Sequence, residues 1–215
     1  MGVKPEPVLV VPARGRATAS LIFLHGLGAD AHDFETLGDA LDLKGCRYLF
    51  PNAPIRPVTL NGGYPMRAWF DIDSISRAAL SEPSGLRNSF ATVEWLLHHE
   101  TQAGIAMNRI LVGGFSQGGA VALAWAGQYR APLLGIAGLS TFLPVGVEPD
   151  AHAHAIFLAH GRNDPVVPLA LAEKTRDDLL SAGHQVTWRI YPMQHEVVAD
   201  EIQALRAWIL DRLAS

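Results

Sequence analysis

A serine flanked by glycines carries the clearest chemical signal in this chain. Residues 114–118 read Gly-Phe-Ser-Gln-Gly, after the apolar run 109–113 and before the helix-forming run 120–126. A Gly-x-Ser-x-Gly pentad at a strand-to-helix junction is typical of a nucleophile elbow, a strained turn that exposes the serine hydroxyl above a sheet. The pattern predicts Ser116 as the nucleophile of a serine hydrolase.

Ser116 needs a base, because a serine hydroxyl is a poor nucleophile until its proton is removed. In a parallel sheet, ligands bind beyond the carboxyl ends of the strands, so a catalytic side chain should follow a strand. His195 follows the predicted strand 186–191 and comes after Ser116, in the order serine, acid, histidine. The histidines that instead lie within a helix or precede a strand are His98, His99, His152, His154 and His184. His195 is therefore the predicted base.

The acid that orients the base should lie between Ser116 and His195 in the chain. Asp164 directly follows the predicted strand 155–160, in a proline-rich loop. A turn-forming Asp before Pro is the alternative explanation of this residue. The remaining candidates precede a strand or lie within a helix, and they are Asp150, Asp177 and Asp178. Chain order and sheet edge together predict Asp164 as the acid.

A glycine turn at 25–28, His-Gly-Leu-Gly, follows another predicted strand at the same sheet edge. As an oxyanion loop it would present the backbone N–H of Leu27 opposite that of Gln117, and two such donors stabilise a tetrahedral oxyanion. The rival function is dinucleotide binding, since residues 26–31 also fit Gly-x-Gly-x-x-Ala. That function requires an acid at the end of the next strand, where this chain has Phe-Pro-Asn at 50–52. The oxyanion assignment is favoured.

Short apolar runs alternate with amphipathic stretches along the chain. The predicted strands lie at about 7–11, 19–24, 46–50, 109–114, 133–138, 155–160 and 186–191. The predicted helices lie at about 33–43, 85–103, 117–129, 168–182 and 197–213, several of them ended by a glycine. This alternation predicts an α/β protein with a mostly parallel central sheet and helices on both faces. Residues 1–215 are predicted to form a single domain, with the first strand as a candidate antiparallel edge.

The composition argues against several classes of protein. Hydrophobic residues make up 49% of the 215 positions, enough for one sizeable core. The 17 basic and 21 acidic residues give a net charge of −4 with no basic stripe, which argues against nucleic acid as a partner. No apolar stretch approaches about 18 residues, and the N-terminus lacks the pattern of a signal peptide. A cytoplasmic protein without stable membrane insertion is expected.

Neither a metal nor an organic cofactor is expected. The pair His152-x-His154 could begin a metal site, but the sequence offers no obvious third ligand. Cys46 is the single cysteine and opens a predicted strand, where a buried inert thiol is preferred over a nucleophile.

The longest irregular stretch, residues 51–82, is the predicted source of a substrate groove. Its candidate walls, each explained equally well as a core residue, are Leu60, Met66, Trp69 and Phe70. Too few residues separate Ser116 from Asp164 for a large lid domain, because a helix and two strands occupy most of that interval. An open apolar groove favours esters with short or medium acyl chains.

Several motifs occur in one order over most of the chain. They are LHGLGAD at 24–30, PNAP at 51–54, PVTLNGG at 57–63, MRAWFD at 66–71, GFSQGG at 114–119 and HGRND at 160–164. In these motifs the chain resembles the phospholipase/carboxylesterase group of small α/β-hydrolases, which includes the acyl-protein thioesterases. The resemblance implies Ser116, Asp164 and His195 as the triad and Leu27 and Gln117 as oxyanion donors. It also adds thioesters and lysophospholipids as substrates and implies a possible homodimer.

Two residues depart from the pattern of that group. Glu196 follows His195, where the group usually has a small residue, often serine. A carboxylate directed toward the imidazole would raise the pKa of the base. Ala31 stands where glycine is common, which bears on the geometry of the oxyanion loop.

The sequence therefore predicts hydrolysis of short- to medium-chain carboxylic esters through an acyl-enzyme on Ser116, with His195 as base and Asp164 as orienting acid. The same triad would serve an acyl-protein thioesterase or a lysophospholipase, and the residues alone do not separate these functions. A catalytically inactive acyl-ligand-binding domain is the non-enzymatic alternative, which a complete triad disfavours. The expected partner is a small-molecule or lipid ester.

Overall fold

A seven-stranded sheet forms the centre of the protein. The computed structural model describes residues 7–74, 84–130, 132–146 and 153–215. The strands are β1 (Val8–Val11), β2 (Ala19–Leu24), β3 (Cys46–Pro51), β4 (Ile55–Val58), β5 (Tyr64–Arg67), β6 (Ile110–Phe115), β7 (Gly135–Leu139), β8 (Ala155–Gly161) and β9 (Gln185–Tyr191). Their order in the main sheet is β1-β3-β2-β6-β7-β8-β9, while β4 and β5 form a separate hairpin. Only the β1–β3 pair in the main sheet is antiparallel.

Helices cover both faces of this sheet. In the part of the chain that the structure describes, the α-helices are α1 (Leu37–Leu41), α2 (Leu86–Gln102), α3 (Gln117–Ala126), α4 (Leu169–Ser181) and α5 (Ala199–Ala214). Helices α2, α3 and α4 contribute to one hydrophobic core, and α1 and α5 contribute to the other. Strand β2 divides its side chains between the two cores, with Ile22 and Leu24 in the first and Leu21 and Phe23 in the second. Every residue of β2 is buried, as expected of a strand covered on both faces.

Helix α2 shows the pattern that directs a helix onto the sheet. Leu86, Phe90, Val93 and Leu97 recur at spacings of three or four residues, and all of them are buried in the same core. The helix ends at Gln102. Glycines in the left-handed region follow α2 and α4, and only glycine adopts that conformation without strain.

The carboxyl ends of the parallel strands meet at one edge of the sheet. Leu24, the last residue of β2, pairs with Gly114 near the end of β6. Gly161 and Tyr191 pair at the ends of β8 and β9. The loops after these four strands therefore leave the sheet along one edge. Together with Gln117, the first residue of α3, they carry every residue that the sequence nominates for the catalytic relay and the oxyanion hole.

The predicted α/β architecture, a mostly parallel sheet with helices on both faces, is confirmed. In the described residues, no lid domain is inserted between α3 and β8. One predicted helix was wrong: the stretch 33–43 forms a 3₁₀ helix at Ala31–Phe34 and then the short helix α1. The Asp30 side chain caps the 3₁₀ helix, and α1 ends at Asp42 in a left-handed conformation. Local capping therefore divides the stretch into two short elements.

The stretch 51–82 is less irregular than the sequence suggested. Strands β4 and β5 form an antiparallel hairpin joined by a 3₁₀ helix at Thr59–Asn61. Pro57 and Pro65 face each other across this hairpin. Both prolines are tolerated there because a two-stranded ribbon consists only of edge strands. Residues 75–83 lie outside the described part of the chain.

Glu201 on α5 is a fully buried acid. Neither carboxylate oxygen reaches hydrogen-bonding geometry with a described residue. Burial raises the pKa of the Glu201 carboxyl to about 8. The Val198 backbone N–H is too far away for a hydrogen bond but lowers this pKa by a smaller amount. In the unfolded chain, the same group has a pKa of about 4.3. At pH values between these two pKa values, Glu201 therefore takes up a proton when the chain folds.

The free energy of unfolding should consequently decline as the pH rises from the unfolded-state pKa of Glu201 to its folded-state pKa. We expect this group to lower the free energy of unfolding by up to about 1.4 kcal/mol per pH unit. Glu201→Gln should remove this decline and stabilise the fold more at pH 8 than at pH 5. Chemical denaturation at both pH values measures the effect, with Asp211→Asn, an exposed change on the same helix, as control. An unchanged pH dependence in Glu201→Gln would contradict the assignment.

Candidate active site

Ser116 occupies a strained turn between β6 and α3. Its φ of +52° and ψ of −120° are costly for a residue other than glycine. A Cβ on Gly114 would lie 2.4 Å from the carbonyl carbon of Gly118. A Cβ on Gly118 would lie 2.2 Å from the carbonyl oxygen of Leu24. The elbow therefore presses against the end of β2, and side chains at these two positions would prevent that contact.

The structure brings Ser116, His195 and Asp164 together in one hydrogen-bonded relay. The His195 Nε2 lies 3.0 Å from the Ser116 Oγ, and the His195 Nδ1 lies 2.7 Å from the Asp164 Oδ2. His195 comes from the loop after β9, and Asp164 from the loop after β8. When Nδ1 carries the ring proton and donates a hydrogen bond to the carboxylate, Nε2 is free to accept the serine hydroxyl proton. The arrangement can therefore deprotonate Ser116.

Asp164 is held rigidly by the backbone of its own loop. Its Oδ1 accepts hydrogen bonds from the N–H groups of Val166 and Val167, both at 2.8 Å. Its Oδ2 is left to His195. The carboxylate is buried, so these donors also replace the water that its charge would otherwise bind.

His160 supports the same loop and was not singled out by the sequence analysis as a separate residue of the site. Its Nε2 lies 2.9 Å from the Val167 carbonyl oxygen and 3.5 Å from the Asp164 Oδ2. Burial lowers the pKa of His160, which favours the neutral imidazole with its proton on Nε2. The only signal in the sequence was its position at the end of β8, directly before the loop of the acid.

The glycine turn at 25–28 lies against the nucleophile. A Cβ on Gly26 would lie 3.2 Å from the Phe115 ring and 3.6 Å from the Ser116 Cβ. Among the described residues, the backbone N–H groups of Leu27 and Gln117 donate to no protein acceptor. For Gln117 this follows from its place as the first residue of α3, since the first N–H groups of a helix have no intrahelical partner. Both donors remain available to a ligand.

A cavity of about 570 Å³ opens above Ser116 and His195. Most of its lining is apolar, with the remaining contributions from backbone, the relay and two acids. The lining residues are Gly26, Leu27, Ala29, Asp33, Phe34, Leu60, Ile72, Phe115, Ser116, Gln117, Phe142, Val166, His195, Glu196 and Val197. Its size and apolar walls are those of a small-molecule site. Its apolar lining suits an acyl chain placed next to Ser116.

Of the predicted groove walls, only Leu60 lines the cavity. The prediction was wrong for Trp69 and Phe70, which are fully buried in the core with α2 and α3. Met66 is half-buried against the same core and does not line the cavity. The reason is that the chain turns inward after β5, so the aromatic side chains pack beneath the site.

Other lining residues were missed by the sequence analysis. Phe115 is the variable residue inside the pentad, and Phe142 follows β7 at the carboxyl edge of the sheet. Both residues lie at or after the carboxyl end of a strand, where ligands bind in a parallel sheet. Looking there for apolar residues as well as polar ones would have found them. Val166, next to the acid loop, is a third such residue.

The two residues that depart from the family pattern have defined partners. The Oε1 of Glu196 accepts a hydrogen bond from the Gln194 backbone N–H at 3.2 Å, which closes the turn that carries His195. Glu196 also lines the cavity. Ala31 is buried, and its backbone N–H donates to the Asn52 Oδ1 at 2.9 Å. This bond ties the segment after the glycine turn to the end of β3.

Other chemically active side chains lie away from the relay. Burial raises the pKa of the Cys46 thiol to about 12, so it is not a thiolate at neutral pH. His154 is buried, and its Nε2 lies 3.0 Å from the Tyr129 carbonyl oxygen. His152, the other histidine of the pair considered and disfavoured as a metal site, lies outside the described residues. No helix in the described ranges has the length and apolar character needed to span a bilayer.

The sheet order and the elbow define a protein of the α/β-hydrolase class, with the relay at the carboxyl edge of a mostly parallel sheet. The sequence profile of the phospholipase/carboxylesterase family matches residues 6–211. The chain belongs to this family.

Individual relatives are similar over nearly the whole chain. Acyl-protein thioesterase 1 of Neurospora crassa is 35% identical over 97% of this chain and 92% of its own length. Acyl-protein thioesterase 1 of Yarrowia lipolytica is 33% identical over 97% of this chain and 98% of its own length. The crystal structure of Arabidopsis thaliana SOBER1 matches with a TM-score of 0.84 at 27% identity, covering 91% of this chain and 99% of that one. Zea mays acyl-protein thioesterase 2 matches with a TM-score of 0.81 at 27% identity, covering 97% and 99%.

Replacing Asp164 by Asn tests whether the carboxylate sets the tautomer of His195. An amide keeps one oxygen for the N–H groups of Val166 and Val167 but turns its NH₂ toward Nδ1. That arrangement favours the tautomer with the proton on Nε2, which cannot accept the serine proton. We expect Asp164→Asn to fold normally and to lose about 10⁴-fold in kcat. Turnover of a p-nitrophenyl ester measures this.

The control for this prediction is Asp178→Asn, an acid on α4 that pairs with Lys174 at the surface. Its kcat should equal that of wild type. If Asp164→Asn also retained wild-type kcat while folded, the carboxylate would have no part in the relay.

Proposed function

We propose that this protein hydrolyses acyl thioesters and esters through an acyl-enzyme on Ser116, with S-acylated proteins as its first substrate class. The relay of Ser116, His195 and Asp164 at the floor of an apolar cavity is the observation that carries this proposal. An acyl group can lie along the apolar walls with its carbonyl carbon beside Ser116. The proposed reaction uses these side chains, two backbone N–H groups and one water molecule.

Acylation begins when the Ser116 Oγ attacks the carbonyl carbon and its proton passes to the His195 Nε2. The carbonyl oxygen becomes an oxyanion, which accepts hydrogen bonds from the backbone N–H groups of Leu27 and Gln117. The carbon–sulfur or carbon–oxygen bond then breaks, and His195 returns the proton to the leaving thiol or alcohol. The acyl group remains as an ester on Ser116.

Deacylation repeats these steps with water as the nucleophile. His195 takes a proton from the water, whose oxygen attacks the acyl carbon, and the second tetrahedral intermediate uses the same donors. Collapse of this intermediate breaks the bond to Ser116, and its Oγ regains the proton from His195. Throughout, Asp164 stabilises the imidazolium and keeps the ring oriented. The products are a carboxylic acid and the free enzyme.

The order of the substrate classes differs from the one that the sequence alone favoured. Short- and medium-chain carboxylic esters came first in that analysis, with thioesters as an alternative. Relatives named acyl-protein thioesterase 1, at 33% and 35% identity over nearly full length, favour the alternative. The cavity is compatible with it, because its apolar walls reach an open rim at Leu60 and Val166, which are partly exposed. A protein-linked acyl chain could enter there.

Carboxylic esters, including lysophospholipids, are the second candidate substrates. The relay presents no feature that distinguishes an oxygen from a sulfur leaving group, and the cavity would take either acyl chain. An inactive acyl-binding domain is disfavoured, because such a domain does not need a histidine bonded to both a serine and an acid. A cytoplasmic location and a homodimer stay predictions from the sequence.

The proposal is tested by labelling the protein with a fluorophosphonate and measuring the intact mass. We expect one adduct on wild type, mapped to Ser116, and none on Ser116→Ala or His195→Ala. Substrate class is then tested with two acyl peptides that differ only in a cysteine or serine at the acylated position. A higher kcat/KM for the S-acyl peptide supports the proposed order, and the reverse result places ester hydrolysis first.

Folding must be shown for each variant, because an unlabelled misfolded protein carries no information. Circular dichroism and thermal melting of wild type and both variants provide this control. A folded wild type that bound the acyl peptide but neither reacted with the fluorophosphonate nor turned over would overturn the catalytic proposal. It would restore the acyl-binding domain as the explanation of the cavity.

A further inference from the structure

The side chain of Gln117 ties the nucleophile elbow to the segment after β5. Its Oε1 accepts the Trp69 backbone N–H at 2.8 Å, and its Nε2 donates to the Phe70 carbonyl oxygen at 2.9 Å. Gln117 is only 3% exposed, so water does not compete for these bonds. Both ends of one amide are therefore used to hold the residue that directly follows Ser116.

The indole of Trp69 ties the same segment to the glycine turn. Its Nε1–H donates to the His25 carbonyl oxygen at 2.8 Å, and its ring centroid lies 5.2 Å from that of His25. Trp69 is fully buried. The carbonyl that it binds precedes Leu27 by two residues, so the bond orients the beginning of the turn that contains Leu27.

The imidazole of His25 fixes the turn from within. Its Nε2 lies 3.0 Å from the Ala53 backbone N–H and must accept that bond, because an amide N–H only donates. The proton is therefore on Nδ1, which donates to the Gly26 carbonyl oxygen at 2.7 Å. Gly28 adds a further bond from its N–H to the Arg67 carbonyl oxygen at 2.9 Å. Backbone groups on both sides of Leu27 are thus held, while its own N–H stays available.

We propose that Trp69 and the side chain of Gln117 are positioning residues for the oxyanion hole. The segment 69–70 is bonded to both loops that supply the proposed donors, through an indole on one side and an amide on the other. It therefore sets the distance between the N–H groups of Leu27 and Gln117. That distance matters because the donors must lie about 2.7–3.1 Å from the oxyanion in the transition state. The inference rests on the proposed function, since an oxyanion forms only during acyl transfer.

Trp69→Phe removes the indole donor and keeps an aromatic ring in the core. The His25 carbonyl then lacks a partner, and the glycine turn can shift relative to Ser116. We expect kcat on a p-nitrophenyl ester to fall by about 10- to 100-fold, with little change in KM. This decrease does not exceed the one expected when a whole oxyanion donor is removed. The inhibition constant of an acyl trifluoromethyl ketone should rise by a similar factor, because its tetrahedral adduct also uses the hole.

The matched control is Trp125→Phe on α3. Trp125 is also fully buried in the same core, and it stacks on Tyr129 with ring centroids 4.1 Å apart, near the far end of the helix from Ser116. It should lower the melting temperature without changing kcat or the inhibition constant. If Trp69→Phe behaved in the same way, Trp69 would be a core residue only and the proposal would be overturned. Wild-type turnover tests the proposed function separately.

A second pair of variants decides the question even if Trp69→Phe does not fold. Gln117→Leu removes both side-chain bonds and should lower kcat at every pH. Gln117→Glu replaces the amide by an acid that, when protonated, can still accept from Trp69 and donate to Phe70. When ionised, it faces the Phe70 carbonyl and repels it. The ratio of its kcat to that of wild type should therefore rise as the pH is lowered from 8 to 5.

Each result for this pair is decisive. An impaired Gln117→Leu beside a Gln117→Glu that recovers in acid supports the proposal. An impaired Gln117→Leu beside a Gln117→Glu that is as active as wild type at every pH also supports it, because the buried acid then stays protonated. Wild-type kcat in Gln117→Leu, or a Gln117→Glu defect that acid does not relieve, would overturn it.

Discussion

The contact between the start of α3 and the end of β2 is the constraint on which the site depends. It is a contact of backbone on backbone, made possible because Gly118 has no side chain to meet the Leu24 carbonyl. The same contact forces Ser116 into a conformation that costs about 1–3 kcal/mol. Burial of every residue of α3 offsets that cost. Backbone packing alone therefore makes Ser116 and the glycine turn neighbours.

Polar contacts then complete what the packing begins, and nearly every one of them involves backbone. Val166 and Val167 donate to the acid, and the His25 and Gly26 carbonyls accept from the side chains that fix the glycine turn. Backbone groups in buried loops need partners in any case. The site meets this requirement with hydrogen bonds that also orient its reactive groups. The same bonds therefore stabilise the loops and preorganise the site.

Topology explains which parts of the site could be predicted from the sequence. Alternating strands and helices imply a parallel sheet, and a parallel sheet collects residues that follow strands at one edge. That reasoning nominated Ser116, Asp164 and His195, which the structure brings together. It does not extend beyond the end of β3 at Pro51, because the next strands described, β4 and β5, form a separate hairpin and not part of the main sheet. From the sequence alone, a tryptophan at position 69 is equally compatible with a groove wall and with the core. Only its contacts in the folded structure show that it is a core residue.

The chemistry of the leaving group indicates where substrate choice must arise. A thiol has a pKa of about 8.5, well below that of an alcohol, so a thiolate leaves with less help from a proton donor. A relay able to protonate an alkoxide therefore also serves a thioester. In the proposed mechanism His195 and Asp164 do not discriminate between the two leaving groups, so we expect any preference to come from how the cavity walls hold the acyl chain and the leaving group. Leu60, Phe142 and Val166, which come from three separate segments, are placed to do this.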